Sequence, residues 1–469
     1  MTPQEKLDWL VSPEKFYPKD LCFENLRGNR GFIDAFITHV ELLREFQFWE
    51  KEKIEEVQLL KLRKMVNWLF AHSKFWSDYF KKNNFTGESL DSIKQLPIIT
   101  RTDLISFGDD IYVTGENENI SSLHKKYTSG TSGTILKTIR DERDWVIASF
   151  PCLFRNEIFS ADTLKDLFSR RSAVYLGMSG SRTTSRAFIR RLFSISDVDL
   201  DDKKTREEMY HEIQAASPAF LVGFASHISR FARYVFEGEA KLSLTAIFIT
   251  GEAIALDERI FIEKTFGVPV INILSTSETE HIGFECDKNK ENFHVFSDRI
   301  ILETEKLSAS EEGEIAITVL DFKNTPIIRY FIQDSGSILS GSCSCKSNLP
   351  LFQFKGRRDE EVVLPSGKKI RSINLNQRLF SAGFNLATEQ IQIRQESLNH
   401  LKILIASKDP VAEKKETRLL LSLSELFKDE KIKVEIERVD SIPLIKERKY
   451  RVFVPLRNSE HYSDKALNS

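Results

Sequence analysis

Cysteine is scarce in this chain: five residues in 469, Cys22, Cys152, Cys286, Cys343 and Cys345. An odd number scattered through a long sequence is a poor disulfide framework and suits a reducing, cytoplasmic compartment. The opening Met-Thr-Pro-Gln-Glu-Lys lacks the basic segment and apolar run of a signal peptide. No apolar stretch reaches the ~18 residues that cross a bilayer, so no membrane span is expected. Neither sign of charge dominates. With 67 Lys plus Arg against 69 Asp plus Glu, net −2, no global field draws the chain to nucleic acid or to an anionic surface. The nucleophile elbow is missing too, because Met178-Ser179-Gly180-Ser181 lacks the second glycine of Gly-x-Ser-x-Gly. Internal repeats and low-complexity tracts are absent.

What is present is ample material for a core. Hydrophobic residues make up 41% of the chain and include 35 phenylalanines, which we read as packing rather than a special aromatic site. Residues 1–90 read mainly as helix: Leu59, Leu62, Val66, Leu69 and Phe70 recur at helical spacing with Lys61, Arg63 and Lys64 between them. Apolar runs then alternate with helical patterns. The runs are Ala173–Leu176 before Gly177, Phe220–Phe224, Thr245–Thr250 before Gly251-Glu252, and Pro269–Leu274, with a helix at Leu256–Phe266. That alternation predicts an α/β fold around a mostly parallel sheet, with ligands beyond the carboxyl ends of the strands.

From Asp298 the pattern turns to strands at Ile300–Glu303, Glu314–Leu320 and Pro326–Phe331. A last segment carries strands at Gln390–Arg394, Leu401–Ile405 and Lys431–Arg438 and helices at Leu375–Ala382 and Thr417–Phe427. The expected organisation is a large N-terminal domain over 1–355, mainly helical in 1–90, α/β in 91–297 and β-rich in 298–355. A hinge at 356–360 and a small mobile α+β domain at 361–469 follow.

Four features carry chemistry. Thr128-Ser129-Gly130-Thr131-Ser132-Gly133-Thr134-Ile135-Leu136-Lys137 combines flexible glycines, hydroxyls and a lysine, the ingredients of a phosphate cradle or of an ordinary polar loop. It matches neither the P-loop NTPase pattern nor the dinucleotide fingerprint. Cys286, His294, Cys343 and Cys345 make a donor set for tetrahedral zinc, although their spacing is not a zinc finger's and, on the residues alone, buried thiols beside a core histidine are the plainer reading. Arg182, Arg186, Arg190 and Arg191 recur at near-helical spacing, either a solvated helix face or a landing patch for phosphates or an acidic carrier protein. His281 and His227 are single histidines, read as structural, with His281 near enough to Glu278 to line a pocket.

Taken in order, the motifs resemble those of the acyl-adenylate-forming superfamily. The 128–137 loop is similar to its phosphate-binding loop. Thr250-Gly251-Glu252 is similar to the Gly-Gly-Glu turn beside the adenine. Ile273-Leu274-Ser275-Thr276-Ser277-Glu278 is similar to the Tyr-Gly-x-Thr-Glu loop whose glutamate binds Mg²⁺. Ile328–Asp334 is similar to the ribose-binding segment, Gly356-Arg357-Arg358-Asp359 to the hinge, and Arg448-Lys449-Tyr450-Arg451-Val452 to the strand bearing the catalytic lysine. The nearest branch is that of phenylacetate–CoA ligase and its capsule-biosynthesis and deazaflavin-cofactor-adenylylating relatives. Leu274, Ser275, Arg448 and Ile332-Gln333 depart from the family's pattern.

The resemblance implies an ATP- and Mg²⁺-dependent ligase that adenylates a small-molecule carboxylate and passes the acyl group to coenzyme A. Glu278 would hold Mg²⁺, and Thr128 to Gly133 with Lys137 the phosphates. Gly251, Glu252 and Ser277 would border the nucleotide, Asp334 and Arg357 the ribose, and Asp359 would be the hinge. Lys449 would be catalytic. Relatives with a Cys/His set in this place imply a closed structural zinc site. Two further functions stay open: an adenylyltransferase or carrier-protein-loading ligase, and a degenerate nucleotide-binding interaction protein.

Overall fold

The computed structural model describes the chain apart from residues 116–118, 128–135, 170–171, 178–188, 195–202, 238–240, 253, 255, 306–312, 358–360, 372–374, 376–377, 380–381, 385–389, 407–411, 441, 443–452 and 457–469. The N-terminal segment is helical as its periodicity predicts: α1 (Pro3–Val11), α2 (Arg30–Phe46), α3 (Lys51–His72) and α4 (Lys74–Lys82). The first begins at a capping box, Thr2 accepting from the Glu5 amide while the Glu5 carboxylate accepts from Thr2 N.

Among the described residues, eleven strands form one sheet. One half is parallel: β3 (Ser172–Gly177), β4 (Ile189–Ser194), β5 (Pro218–Gly223), β6 (Ala246–Thr250) and β7 (Val270–Thr276), in spatial order β4-β3-β5-β6-β7. Helices α8 (Lys203–Ala216), α9 (Ala225–Glu237) and α10 (Leu256–Phe266) connect them. The other half is antiparallel and continues through β8 (Glu280–Cys286), β9 (Asn289–Val295), β13 (Leu351–Arg357), β12 (Tyr330–Leu339), β11 (Gly313–Val319) and β10 (Ile300–Glu305). The strands expected after Asp298 therefore extend the parallel sheet and do not build a sheet of their own. The strand expected at Pro326–Phe331 begins instead at Tyr330, immediately after Arg329, whose φ of 45° is left-handed.

Strand alternation explains how both faces are covered. Tyr175, Phe220, Phe248, Ile271 and Ile273 belong to one cluster with Phe32, Phe36, Leu43 and Phe46 of α2. The same cluster takes in Val146 and Ile147 of α6 (Glu142–Ser149), Leu164, Leu167 and Phe168 of α7 (Ala161–Ser169), and Phe154 and Phe159 between those helices. Val174, Leu176, Leu221, Ile247 and Ile249, one residue out of step, face the opposite cluster with Ile213, Phe231 and Ile262. Rings such as Phe159 and Phe248, with centroids 5.5 Å apart, show the phenylalanines at work as packing. The antiparallel half packs Ile315, Ile317, Tyr330 and Phe352 against Leu62, Val66, Leu69, Trp76 and Phe80 of α3 and α4.

A hairpin of β1 (His124–Tyr127) and β2 (Lys137–Arg140) lies outside this sheet, and β14 (Glu361–Val363) pairs with β15 (Lys369–Arg371). The last segment has its own four strands, β16 (Gln390–Ser397), β17 (His400–Ala406), β18 (Lys433–Arg438) and β19 (Phe453–Val454). With α11 (Ala412–Leu426) they enclose a separate cluster of Ile391, Ile393, Ile403, Ile405, Leu419, Leu423 and Phe427. Among the described residues, no helix is long and apolar enough to cross a membrane.

Candidate functional site

The parallel strands end where the sequence places its small and hydroxylic residues. Thr250 Oγ1 at the end of β6 is hydrogen-bonded to Ser275 Oγ near the end of β7. The chain then reverses from β7 into β8. Thr276 Oγ1 accepts from the Thr279 amide at 3.1 Å and meets Thr279 Oγ1 at 2.9 Å, a side-chain turn that caps the reversal. Glu278 projects from this turn and is buried. Tyr330 Oη donates to Glu278 Oε1 across 3.4 Å, and Arg101 Nη2 lies 3.9 Å from the same oxygen. Arg101 is set by local sequence: a Thr100-to-Asp103 capping box starts α5 (Arg101–Ser106), and Ile99 just before it bonds to Arg329 O and Phe331 N.

The back of the turn is held by buried cations. Arg140 donates to the Glu278 carbonyl and Arg299 to the His281 carbonyl. Both guanidiniums lie over the Phe322 ring, at 3.7 and 5.2 Å from its centroid. Glu280 has a left-handed φ of 58°, and its Oε1 receives Lys126 Nζ at 2.6 Å and Arg140 Nη1 at 2.8 Å. Burial by itself raises the Glu280 pKa, but Lys126 and Arg140 outweigh it and bring the carboxyl to about 2. Burial lowers Arg140 to about 10 against the pull of Glu280, and lowers His281 to about 3, so that imidazole is neutral at pH 7.

The remaining expected residues are distributed as follows. Lys137 opens β2 opposite Tyr127, its Nζ 2.8 Å from Asp109 Oδ1 and 4.6 Å from the Tyr112 ring centroid. Thr128, Ser129, Gly130, Thr131, Ser132 and Gly133, between β1 and β2, lie outside the described residues, as do Asp359 and Lys449 with its neighbour Arg448. Gly251 has φ 78°, and a Cβ there would come 2.7 Å from Phe224 Cε1, so both conformation and space call for glycine. Glu252 beside it is exposed and Ser277 is half-buried. Asp334 is buried on β12 in register with Arg357 on β13, whose side chain is outside the described atoms.

One expectation is corrected. Arg190 and Arg191 lie in β4, paired in parallel with β3, so the arginine stripe is not a helix face there; Arg182 and Arg186 lie outside the described residues. The apolar residues of Ile189–Ser194 satisfy a strand as well as a helix, and the sheet edge decides between them. His227 packs edge-on to Phe224 with centroids 5.3 Å apart.

Four dispersed residues converge at the far end of β8 and β9. Cys286 ends β8, His294 lies on β9, and Cys343 and Cys345 sit in the connection before β13, whose Leu351 pairs with His294. Their ligand atoms all lie within 4.8 Å of one another. Cys286 Sγ is 3.6 Å from Cys343 Sγ, and Cys345 Sγ is 3.3 Å from His294 Nε2. Two sulfurs about 2.3 Å from one tetrahedral zinc stand about 3.8 Å apart, and a sulfur and an imidazole nitrogen about 3.6 Å. The set therefore fits the ion. The Glu278 carboxylate, an oxygen donor, fits Mg²⁺, which takes one or two carboxylates and otherwise substrate phosphate and water.

Sequence reasoning passed over Arg101, Lys126, Arg140, Glu280, Arg299 and Tyr330. A left-handed non-glycine residue at 280 leaves no mark in the sequence, and each cation meets the turn only through tertiary contact.

No family model matches the chain. It is 25% identical over 298 residues to the protein CapK of Staphylococcus aureus, a match covering 60% of this chain and 62% of that protein's length. The structure of a 2-hydroxyisobutyryl-CoA ligase in the postadenylation state, in complex with R3-HIB-AMP, superposes with a TM-score of 0.67. That match has 15% identity over 89% of this chain and 94% of the ligase. An anthranilate CoA ligase in complex with anthranoyl-AMP has a TM-score of 0.50 and 12% identity, covering 81% of this chain and 76% of that one. With its half-parallel, half-antiparallel sheet and separate C-terminal strands, the chain has the fold of the acyl-adenylate-forming CoA ligases.

Proposed function

We propose that the chain is an AMP-forming acid–thiol ligase, working in the cytoplasm on a small carboxylic acid. In this reading a carboxylate oxygen attacks the α-phosphorus of ATP, pyrophosphate leaves, and the acyl group of the adenylate then passes to a thiol, most simply that of coenzyme A, with release of AMP. The observation that carries the reading is Glu278: a buried carboxylate on a reversal at the carboxyl end of β7, in a fold shared with ligases seen with acyl-adenylates.

Each residue has a role the chemistry requires. Charge accumulates on the phosphoryl oxygens during attack, and donors fixed in advance lower that barrier. Glu278 would hold Mg²⁺, which when bound neutralises the nucleotide phosphates. Lys137 and the hydroxyls and amides of Thr128 to Gly133 would hold the departing phosphates. Gly251, Glu252 and Ser277 would border the nucleotide, and Asp334 and Arg357 would hold the ribose. Lys449 would be delivered to the carboxylate and α-phosphate by a mobile domain over 361–469. Rotation at Asp359, in a hinge over 356–360, would withdraw it from the large domain over 1–355 before transfer. Cys286, His294, Cys343 and Cys345 would hold a structural zinc that ties β8 and β9 to the connection before β13.

Incubation of the protein with ATP, Mg²⁺, CoA and a carboxylate library, read by mass spectrometry, tests this. The expected result is one acid consumed, with AMP and its CoA thioester formed in equal amounts. AMP joined to a hydroxyl, or an acyl-adenylate without thioester, would reassign the acceptor; no turnover of ATP with any acid would remove the reading.

A further inference from the structure

Glu280 is placed to do more than fill space. Its Oε1 is shared by Lys126 on β1 and Arg140 on β2, the two strands of one hairpin, at 2.6 and 2.8 Å. The hairpin register sets Lys126 against Thr138, two residues short of Arg140. The second terminal nitrogen of Arg140 donates to the carbonyl of Glu278. A single guanidinium thus joins the hairpin to the main chain of the Glu278 turn and to the side chain that closes it. Exposed ion pairs hold little. Here the Glu280 and Arg140 side chains are only 7% and 4% exposed, so loss of Glu280 leaves the Arg140 guanidinium buried without its carboxylate partner. The left-handed backbone at Glu280 is unfavourable for a side-chain-bearing residue and persists only where its surroundings fix it.

We propose that Glu280 is a positioning residue that fixes the Glu278 carboxylate relative to the strand carrying Lys137, with Lys126 and Arg140 as its anchors. Its side chain is taken up by Lys126 and Arg140, and it acts through Glu278. The proposal rests on the ligase reading above. Partners that orient a metal-binding carboxylate typically contribute about 10–100-fold to metal affinity or activity.

The test is calorimetric titration of ATP into the full chain across a range of Mg²⁺ concentrations, with thermal melting alongside. Glu280→Gln and Lys126→Met should raise the Mg²⁺ concentration for half-maximal ATP binding by about 10-fold or more. Binding of ATP without Mg²⁺ should stay as in the unmodified protein, a separation that general loosening of the fold would not produce. Lys126→Arg should restore the Mg²⁺ response. Lys126 is the more exposed anchor, so Lys126→Met decides the matter if Glu280→Gln does not fold. If the unmodified protein shows no Mg²⁺-dependent ATP binding, the ligase reading falls and takes this proposal with it. If it does, and the folded variants match its Mg²⁺ response, the positioning role alone is overturned.

Discussion

The Cys345 sulfur lies 3.3 Å from Nε2 of His294, 51 residues earlier in the chain, at the rim of a cluster that Cys286 and Cys343 complete. Burial keeps the His294 pKa below its ordinary value, which leaves the imidazole neutral, as a ligand must be. Protein purified without chelator should contain about one zinc per chain. Cys345→Ser should lower both zinc content and melting temperature, because binding energy at such a site is folding energy. Zinc-free protein with an unaltered melting curve would contradict it.

Gly251 and Phe224 make a second test. Gly251→Ala places a methyl group 2.7 Å from Phe224 Cε1 at a φ of 78°. The left-handed conformation alone costs about 1–2 kcal/mol, and displacement of the ring adds to it. Adding Phe224→Leu, which removes that ring atom, should recover part of the loss but not the conformational part. Equal stability of Gly251→Ala and the unmodified protein in urea titration would show that the turn is not held as described.

Stability should also fall in mild acid through His39. Burial holds its pKa at about 3, with Lys61 and Arg155 adding to the lowering and Asp298 opposing it; Tyr17 Oη lies 3.2 Å from its Nδ1. The unfolded chain protonates this histidine near pH 6.5. Between about 6.5 and 3 the unfolded state therefore binds more protons, and stability drops as pH drops, by up to ~1.4 kcal/mol per pH unit from this residue. His39→Gln should flatten the pH dependence of the urea midpoint between pH 6.5 and 4.5. An unchanged slope would mean that His39 is not neutral in the fold.

The parallel strands β3, β5, β6 and β7 are legible in the sequence because each contains a short apolar run followed by a break, as in Thr245–Thr250 against the observed Ala246–Thr250, closed by Gly251, whereas the arginines of β4 read at helical spacing. The antiparallel strands β8 and β9 were not legible. Glu280, Glu285, Asn292 and His294 are buried there in tertiary contacts, and their polar side chains hide the alternation. The same holds for the site. Glu278 could be read from a motif, whereas Arg140, 138 residues away, shows no local sign of its bond to the Glu278 carbonyl. The cysteine cluster lay between these cases, since residue types suggested zinc and only the fold brings the ligands together.

Lys449→Ala should separate the two half-reactions. If Lys449 stabilises charge only in the adenylation transition state, its loss should slow that step by on the order of 10²–10³ while ATP affinity changes little. Thioester formation from supplied acyl-adenylate should survive. Asp359→Pro, which restricts the proposed hinge, should do the reverse. Equal loss of both steps in Lys449→Ala would refute domain alternation.

Isotope exchange between pyrophosphate and ATP reads formation of the acyl-adenylate by this chain without reference to the acceptor. Exchange should require both Mg²⁺ and one class of carboxylic acid, and should fall by on the order of 10²–10³ in Glu278→Gln while the fold is kept. Exchange that is absent with every acid, or undiminished in Glu278→Gln at limiting Mg²⁺, would contradict that expectation.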